Sequence, residues 1–209
     1  MKILVCFALK EEAAPFRAIA AHNSSVEILL VGIGRLNATR SIRAALANQT
    51  PALVLTCGFA GGLDPELKVG TVIFASEVAR LYARLISTGA KPANIFCADR
   101  IATTVAEKRQ LRAQTQADAV EMESGAIQEA CRAANIPCAT VRVVSDPADE
   151  DLPLDFNALS KPDKNLDFGK LAWAIARSPG KIKRLLRLQK STRFAAKQLA
   201  GVLAEITSS

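Results

Sequence analysis

Four side chains able to move protons, Glu121, Glu123, Ser145 and Asp146, lie in the stretch VEMESGAIQEACRAANIPCATVRVVSDPADE (120–150). A strand-like run precedes the two glutamates, apolar residues at helical spacing follow them, and a second apolar strand leads into Ser145 and Asp146. This order predicts a β-α-β unit, whose crossover makes the two strands parallel. Since open α/β sheets bind ligands at the carboxyl ends of their strands, we expect the four side chains to converge there.

Glu12 is a further candidate for the chemistry. With Glu11 it follows the apolar run Lys2–Ala8, which is continuous in apolar residues as buried parallel strands are. Carboxylates at the start of the helix that follows stabilise the positive end of the helix dipole. The alternative is that one of the two overhangs the carboxyl edge of the strand and acts as a general base.

Two glycine-rich segments also follow predicted strands. The first, GIGRLNA (32–38), precedes a helix that we predict to end near Gln49. Such a turn can hold an anion, but Asn37 replaces the third glycine of a dinucleotide motif, so we favour a tight turn that packs helix on strand. The second, CGFAGG (57–62), predicts a fixed turn whose glycines let the backbone approach a ligand.

The other elements that position these residues have weaker signals. Strands are predicted over 70–76 and 95–97, and Thr104 is expected to cap a charged helix. Asn135 suits the left-handed end of the helix that follows Glu123. Between residues 78 and 95 the pattern is too weak to assign an element.

The basic charge of the chain is concentrated in one region. The net charge is +7, and residues 168–204 contain nine of the 27 Lys and Arg residues and no acid. After a Pro- and Asp-rich loop (151–167), apolar residues at helical spacing predict a basic helical tail over 168–206. One interpretation is a helix packed on the domain with a solvated cationic face, and the other is attachment to anionic lipid headgroups. Since the rest of the chain is nearly neutral, we expect no nucleic-acid partner.

The composition indicates one α/β domain with helices flanking a mixed sheet. The chain has 209 residues, half of them hydrophobic, which is enough for one core, and we predict a single domain over 1–209. Five Cys residues, mostly in apolar segments, fit reduced thiols and predict a cytoplasmic protein. The single histidine, His22, has no ligand partner at suitable spacing, so we expect no metal site and no histidine-activated nucleophile.

Four motifs resemble, in order, those of the superfamily of nucleoside phosphorylases and methylthioadenosine/S-adenosylhomocysteine nucleosidases. They are GIGRLNAT (32–39), TCGFAGGLDPELKVG (56–70), VEMESGAI (120–127) and VRVVSDPAD (141–149). The resemblance implies a three-layer α/β/α fold with a mixed, mostly parallel central sheet, no cofactor, and a homodimer or larger assembly. It also implies cleavage of the N-ribosidic bond of a purine nucleoside. Carboxylates suit that reaction, because positive charge builds on the ribose while an acid protonates the departing base.

The same resemblance assigns roles around the sugar and the base. Glu123 matches the residue that binds the ribose hydroxyls, and Met122 packs against the sugar. Asp146 matches the acid that serves purine N7, supported by Ser145. Sugar and base would therefore be held by the two ends of the 120–150 stretch.

The resemblance assigns the water-activating role to Glu12, with Arg142 nearby. Glu121 is left open between substrate binding and a structural role. The remaining positions implied to bind substrate are Phe59, Ala60, Gly61 and Ile101. Phe59 departs from the family, in which a small hydroxyl residue often stands at this place.

Water is the expected nucleophile. Phosphorolysis requires a phosphate cradle, usually glycine amides with an arginine. The turn at residues 9–12 is acidic instead. Arg35 keeps open the alternative of phosphorolysis, with phosphate as co-substrate.

The segment LPLDFNALSKPD (152–163) and the basic tail most resemble the hopanoid-associated phosphorylase branch. The proposed role of that branch is to remove adenine from adenosylhopane, a lipid-linked substrate that would bring the enzyme to the inner face of the membrane. The interval 78–95 is much shorter than in the nucleosidases. This predicts either a wider pocket for a bulky 5′ substituent or an impaired site, in which case the chain would be a non-catalytic, membrane-associated homologue.

Overall fold

The computed structural model describes residues 2–159 and 179–208, in which strands and helices alternate along most of the chain. The strands are β1 (Ile3–Phe7), β2 (Val26–Leu30), β3 (Leu53–Gly62), β4 (Val72–Ser76), β5 (Lys91–Pro92), β6 (Ile95–Cys97), β7 (Ala119–Glu121) and β8 (Cys138–Asp146). The α-helices are α1 (Lys10–Ile19), α2 (Arg35–Asn48), α3 (Ala79–Ser87), α4 (Val105–Thr115), α5 (Ser124–Ala133) and α6 (Ile182–Thr207).

The strands form one mixed sheet in the order β2-β1-β3-β8-β4-β5. The four strands β2, β1, β3 and β8 are parallel, whereas β4 runs antiparallel to β8. The short strands β6 and β7 pair with each other and join the sheet through the end of β3. The sheet is therefore mixed and mostly parallel, as predicted.

Helices cover both faces of the sheet, and β1 shows how the sequence divides between them. Val5 and Phe7 point into a core that includes residues of α1 and α6, while Leu4 and Cys6 point into a second core with α2 and α5. Successive side chains of a strand face opposite sides of its sheet, so a strand that is apolar throughout requires cover on both. The result is the three-layer α/β/α arrangement that was predicted.

The glycine-rich segment 57–62 is not the turn that was predicted. It continues β3 to Gly62 and pairs with β8, where Gly58 lies opposite Arg142 and the register shifts after Ala60. A Cβ atom on Gly58 would lie 2.7 Å from Glu12 Oε1 and 2.8 Å from Arg142 Nη1. This glycine therefore makes room for two charged side chains of the protein, not for a turn.

The predicted β-α-β unit is also wrong in the direction of its first strand. β7 pairs antiparallel with the end of β3, with Val120 opposite Gly61, and so runs opposite to β8. A strand of three residues carries too little pattern to fix its own direction, and pairing with the extended end of β3 decides it. Glu121 and Asp146 still come together, because β7 crosses the edge at which β8 ends.

Several local predictions are confirmed. Thr104 caps α4, because its hydroxyl accepts a hydrogen bond from the Glu107 amide at 3.2 Å. Asn135 follows α5 with a φ of 54°, in the left-handed region.

The segment 78–95, to which no element was assigned, contains α3 and β5.

The basic tail contains one long helix in its described part, while its predicted portion 168–178 lies outside the described residues. The second half of α6 is buried against the sheet through Ala195, Leu199, Leu203 and Ile206. This part confirms the interpretation of a helix packed on the domain. Within the described ranges, no helix combines the length and apolar character needed to span a membrane.

Candidate active site

A cavity of about 190 Å³ lies at the carboxyl edge of the sheet, where β3 and β8 end beside β7. Ten of the eleven residues predicted for the site line it. They are Glu12, Phe59, Ala60, Gly61, Ile101, Glu121, Met122, Glu123, Ser145 and Asp146. The convergence that the sequence predicted is therefore present, although it arises from a different strand topology.

Arg142 is the predicted site residue that does not reach the cavity. Its side chain is 1% exposed and lies behind the acidic residues. It forms an ion pair with Glu121, lies 3.9 Å from a carboxylate oxygen of Glu123, and donates a hydrogen bond to Thr56 Oγ1 at 3.1 Å. Arg142 therefore acts on the carboxylates and not directly on a ligand.

Glu121 is a structural carboxylate at the start of α5. Besides Arg142, it accepts hydrogen bonds from the amides of Glu123 and Ser124 at 3.1 and 2.9 Å and from Ser124 Oγ at 2.6 Å. Burial alone would raise the pKa of Glu121, but the charge of Arg142 and these hydrogen bonds outweigh it and lower the pKa. Glu121 is therefore held in its ionised form, and its oxygen atoms are already engaged.

Glu123 is buried in a different environment. Its Oε1 accepts a hydrogen bond of 2.7 Å from the amide of Gly34, at the amino end of α2. Burial raises the pKa of Glu123 to about 7, with Arg142 opposing the rise and the charge of Glu121 adding to it. This carboxyl group changes its protonation state close to neutral pH.

The first glycine-rich segment forms the predicted tight turn ahead of α2. Its Gly34 amide is taken by Glu123, so this helix terminus binds an anion that the protein itself supplies. Arg35 points to the surface with a side chain that is 59% exposed, and forms an ion pair with Glu129 at 3.0 Å. Arg35 is therefore not among the residues that line the cavity.

Glu12 lies both at the start of a helix and in the wall of the cavity. It opens α1, where its Oε2 accepts a hydrogen bond from the Leu9 amide at 2.8 Å, and its Oε1 accepts one from the Phe59 amide at 2.8 Å. It is nevertheless 4% exposed and lines the cavity. Burial raises the pKa of Glu12, while these hydrogen bonds and Arg142 oppose the rise. A carboxylate of raised pKa in a cavity is suited to accept a proton.

Asp146 is held from two sides. Ser145 Oγ donates a hydrogen bond to its Oδ1 at 2.7 Å, and Lys108 Nζ lies 2.7 Å from its Oδ2. Lys108 comes from α4, and its side chain is 1% exposed. The Asp146 carboxylate is therefore fixed between a hydroxyl group and an ammonium group at the cavity wall.

Lys108 was missed by the sequence analysis. A signal was present, since Lys108 shares a face of its helix with Leu111 and Thr115 at spacings of three and four residues. A lysine on a face that is turned toward the core is rarely left unpaired, and so predicts an acidic partner. The pattern does not identify that partner, which lies 38 positions along the chain.

The short interval 78–95 does not disrupt the cavity. Of the lining residues that the structure describes, none belongs to this interval. The wall is supplied by residues such as Arg100, Ala102 and Leu152, while α3 packs against β4 and α6. Of the two outcomes predicted for the interval, an impaired site is not supported by the geometry.

Comparison with known proteins identifies the family. The family model described as the phosphorylase superfamily matches residues 93–177. Two 5′-methylthioadenosine/S-adenosylhomocysteine nucleosidases are similar over 170 residues, which cover 65% of this chain and 74% of each relative. The protein from Actinobacillus succinogenes is 31% identical to this chain, and the protein from Glaesserella parasuis is 28% identical.

The fold is shared with a solved structure of the same kind. It is similar to the 5′-methylthioadenosine/S-adenosylhomocysteine nucleosidase from Neisseria meningitidis, which was crystallised in complex with methylthio-immucillin-A. The TM-score is 0.72 at 20% sequence identity, and the match covers 98% of this chain and 97% of the other. By this fold and by its kinship with the two nucleosidases, the chain belongs to the phosphorylase superfamily and is an enzyme of the nucleosidase and nucleoside phosphorylase class.

Proposed function

We propose that the chain hydrolyses the N-ribosidic bond of a purine nucleoside and releases adenine. Three acidic residues that line one cavity but lie in different environments carry this proposal. Glu12 has a raised pKa, Glu123 has a pKa of about 7, and Asp146 is held by Lys108 and Ser145. The reaction needs an acid, a base and a group that stabilises positive charge. Different environments allow three acidic residues to take these three roles.

In this proposal the three residues act on different parts of the substrate. The bond between the base and the anomeric carbon lengthens, and positive charge builds on the ribose. Glu123, in its ionised form, holds the ribose hydroxyls and stabilises that charge. Asp146 delivers a proton to the departing base, and Glu12 takes one from the attacking water.

Water is favoured over phosphate as the nucleophile, because the groups near the cavity that could bind a phosphate ion are already engaged by glutamates. The Gly34 amide is bonded to Glu123, and Arg35 is paired with Glu129 at the surface. Arg142 is enclosed by the glutamates and is 1% exposed. A phosphate ion entering this cavity would meet three acidic side chains, and the arginine of the described wall, Arg100, is paired with Glu107.

The substrate class is inferred from the relatives and from the cavity lining. The curated relatives are named for 5′-methylthioadenosine and S-adenosylhomocysteine. Apolar side chains dominate the wall away from the acidic residues, with Leu9, Ile33, Phe59 and Leu152 among them. We therefore propose an adenine nucleoside with an apolar substituent at the 5′ position.

The activity is tested by incubating the protein with methylthioadenosine, S-adenosylhomocysteine, inosine and adenosylhopane while free base is measured. Each substrate is supplied with and without phosphate. We expect phosphate-independent release of adenine, which falls about 100-fold or more in Asp146→Asn. Asp149→Asn, three residues further along the chain at an exposed position, serves as the matched control and should keep full activity. Strict dependence on phosphate would overturn the hydrolytic mechanism.

A lipid-linked substrate is the more specific part of the proposal, and one surface of α6 supports it. This α6 surface is formed by Leu186, Gln189, Lys190, Arg193, Phe194 and Lys197. Leu186 is 60% exposed and Phe194 49% exposed. Two exposed apolar side chains among three cations, with no acid, suit the interface of an anionic bilayer. We propose that the enzyme docks there to reach a nucleoside such as adenosylhopane.

Docking is tested by co-sedimentation with vesicles of neutral or anionic lipid. Each cation near an anionic surface contributes about 1 kcal/mol, so Lys190→Gln with Arg193→Gln should weaken partitioning roughly 30-fold. The matched control replaces Arg40 and Arg43, two exposed arginines of α2, by Gln. Equal binding to neutral and anionic vesicles would count against the proposal.

A further inference from the structure

We propose that Lys108 and Asp146 form one acid unit, in which Lys108 is a positioning residue that supplies Asp146 with the proton leaving on the purine base. The inference rests on the proposed function, since it needs Asp146 to serve the base. It adds a residue from α4, a helix that none of the four sequence motifs includes. It also names the origin of the transferred proton.

Lys108 is deeply buried. Its side chain is 1% exposed, as is that of Arg142, the other deeply buried cation of the site. An ammonium group loses most of its hydration there and must recover the loss from nearby acceptors. An apolar side chain of the same length would fill the space without that cost, so packing alone does not account for a lysine.

Three acceptors surround Lys108 Nζ. The ammonium group faces Asp146 Oδ2 at 2.7 Å, the Pro147 carbonyl oxygen at 2.7 Å and the Glu150 carbonyl oxygen at 3.1 Å. Three acceptors match the three hydrogens of an ammonium group. After one proton has passed to Asp146, the neutral amine keeps two hydrogens for the two carbonyls and directs its lone pair at Oδ2. The site can thus hold Lys108 in both protonation states without moving it.

The Asp146 carboxylate is held in a fixed orientation. Ser145 Oγ donates to Oδ1 at 2.7 Å, and Ser145 also contacts the Ala60 carbonyl oxygen at 3.3 Å. Asp146 keeps 13% of its side chain exposed, at the cavity wall. Asp146 is therefore the member of the pair that meets the substrate, and Lys108 lies behind it.

The bond from the anomeric carbon to the base breaks, and its electron pair stays with the base. Asp146 takes a proton from Lys108 Nζ and passes a proton to the base. Water bonds to the anomeric carbon and passes a proton to Glu12. Glu12 then releases that proton to solvent, and a proton from solvent returns through Asp146 to Lys108, so the net reaction is hydrolysis.

This role makes the effect of Lys108 depend on the leaving group, which a purely structural role would not. Adenine must be protonated as it leaves, whereas the phenolate of 4-nitrophenyl β-D-ribofuranoside leaves without a proton. Lys108→Met keeps the length of the side chain and removes the charge. Lys68→Met, at an exposed lysine that contacts the Pro65 carbonyl, is the matched control.

We expect Lys108→Met to lower kcat on methylthioadenosine about 100-fold or more, the usual contribution of a positioned acid, with KM changed less than about threefold. On the nitrophenyl riboside the loss should be less than about fivefold. Asp146→Asn should show the same pattern. Ethylamine added to Lys108→Ala should restore part of the activity on methylthioadenosine, because it returns an ammonium group to the space that the lysine occupied.

The outcomes separate this inference from the proposed function. If Asp146→Asn stays fully active on methylthioadenosine, the proposed role of Asp146 fails and the inference with it. If Asp146→Asn is impaired but Lys108→Met is not, only the inference is overturned. Equal losses of Lys108→Met on both substrates, or an impaired Lys108→Ala that ethylamine does not rescue, would assign Lys108 a structural role and also overturn it. The amine rescue decides the question on its own if the wild type cleaves the nitrophenyl riboside too slowly to measure.

Discussion

Replacing Glu123 by glutamine should change the pH dependence of stability in a direction that the structure fixes. The pKa of Glu123 is raised from its ordinary value of 4.5 to about 7, chiefly because burial removes the carboxylate from water. Between these values the folded state holds a proton that the unfolded state lacks. Wild-type stability must therefore fall as the pH rises through this range, and the cost is complete above pH 7.

The magnitude follows from the same values. Each unit of difference between the folded and unfolded pKa corresponds to about 1.4 kcal/mol. Ionisation of Glu123 therefore lowers the free energy of unfolding by about 3 kcal/mol. A glutamine cannot ionise, and its side-chain oxygen can still accept the hydrogen bond from Gly34. We therefore expect Glu123→Gln to exceed the wild type by about 1 kcal/mol at pH 5 and by about 3 kcal/mol at pH 8.

The assay is urea unfolding followed by circular dichroism at pH 5, 6, 7 and 8, with the free energy of unfolding compared at each pH. Glu121→Gln provides a control of opposite sign, since the charge of Arg142 and hydrogen bonds overcome the effect of burial and lower the pKa of Glu121. The stability from Glu121 is present above its ordinary pKa and is lost only as the pH falls below it. The deficit of Glu121→Gln should thus persist at pH 8, and it should shrink only because loss of the Glu121 charge also lowers the pKa of Glu123. A constant difference between Glu123→Gln and the wild type over the same range would refute the reasoning.

Further predictions concern the carboxylates of the site, Gly58 and the last helix. Activity should fall about tenfold per pH unit below pH 7, since Glu123, whose pKa is raised to about 7, acts in its ionised form. Burial also raises the pKa of Glu12, which acts in the same direction. Glu12→Gln should lower kcat about 100-fold without shifting Tm strongly. Gly58→Ala should lower both activity and stability, the latter by about 1–3 kcal/mol, because its Cβ would approach Glu12 and Arg142 to within 2.8 Å; wild-type turnover and Tm would contradict this. Leu199→Ala should cost about 2–5 kcal/mol in chemical denaturation, since Leu199 is fully buried, whereas the exposed Leu186→Ala should cost well under 1 kcal/mol.

The sequence was informative where a local pattern is enough. Thr104 and Asn135 mark helix ends through hydrogen bonds and backbone conformation within a few residues, and both were placed correctly. Glu121, Glu123, Ser145 and Asp146 were expected at one edge of the sheet because each lies near the end of a strand or the start of a helix. Phe59, Ala60, Gly61 and Ile101 were implied only by the family resemblance. The homodimeric assembly, the cytoplasmic location and the absence of a cofactor stay predictions.

The sequence was misleading where distant pairing decides the structure. Gly58 and Gly61 have the composition of a turn, yet β3 extends through them because β8 pairs alongside. The direction of β7 depends on that same extension. The partner of Lys108 and the withdrawal of Arg142 behind the glutamates depend on which helices and strands meet, and spacing along the chain does not encode this.

The position of α6 in the core has a consequence for how the protein is made. Ala195, Leu199 and Leu203 pack with β1, β3 and β8, the strands at whose ends the site is built. During synthesis these strands emerge before residues 195–207, and the part of their apolar face that α6 covers stays exposed in the meantime. Chaperone demand should accordingly be highest between the emergence of β8 and that of α6.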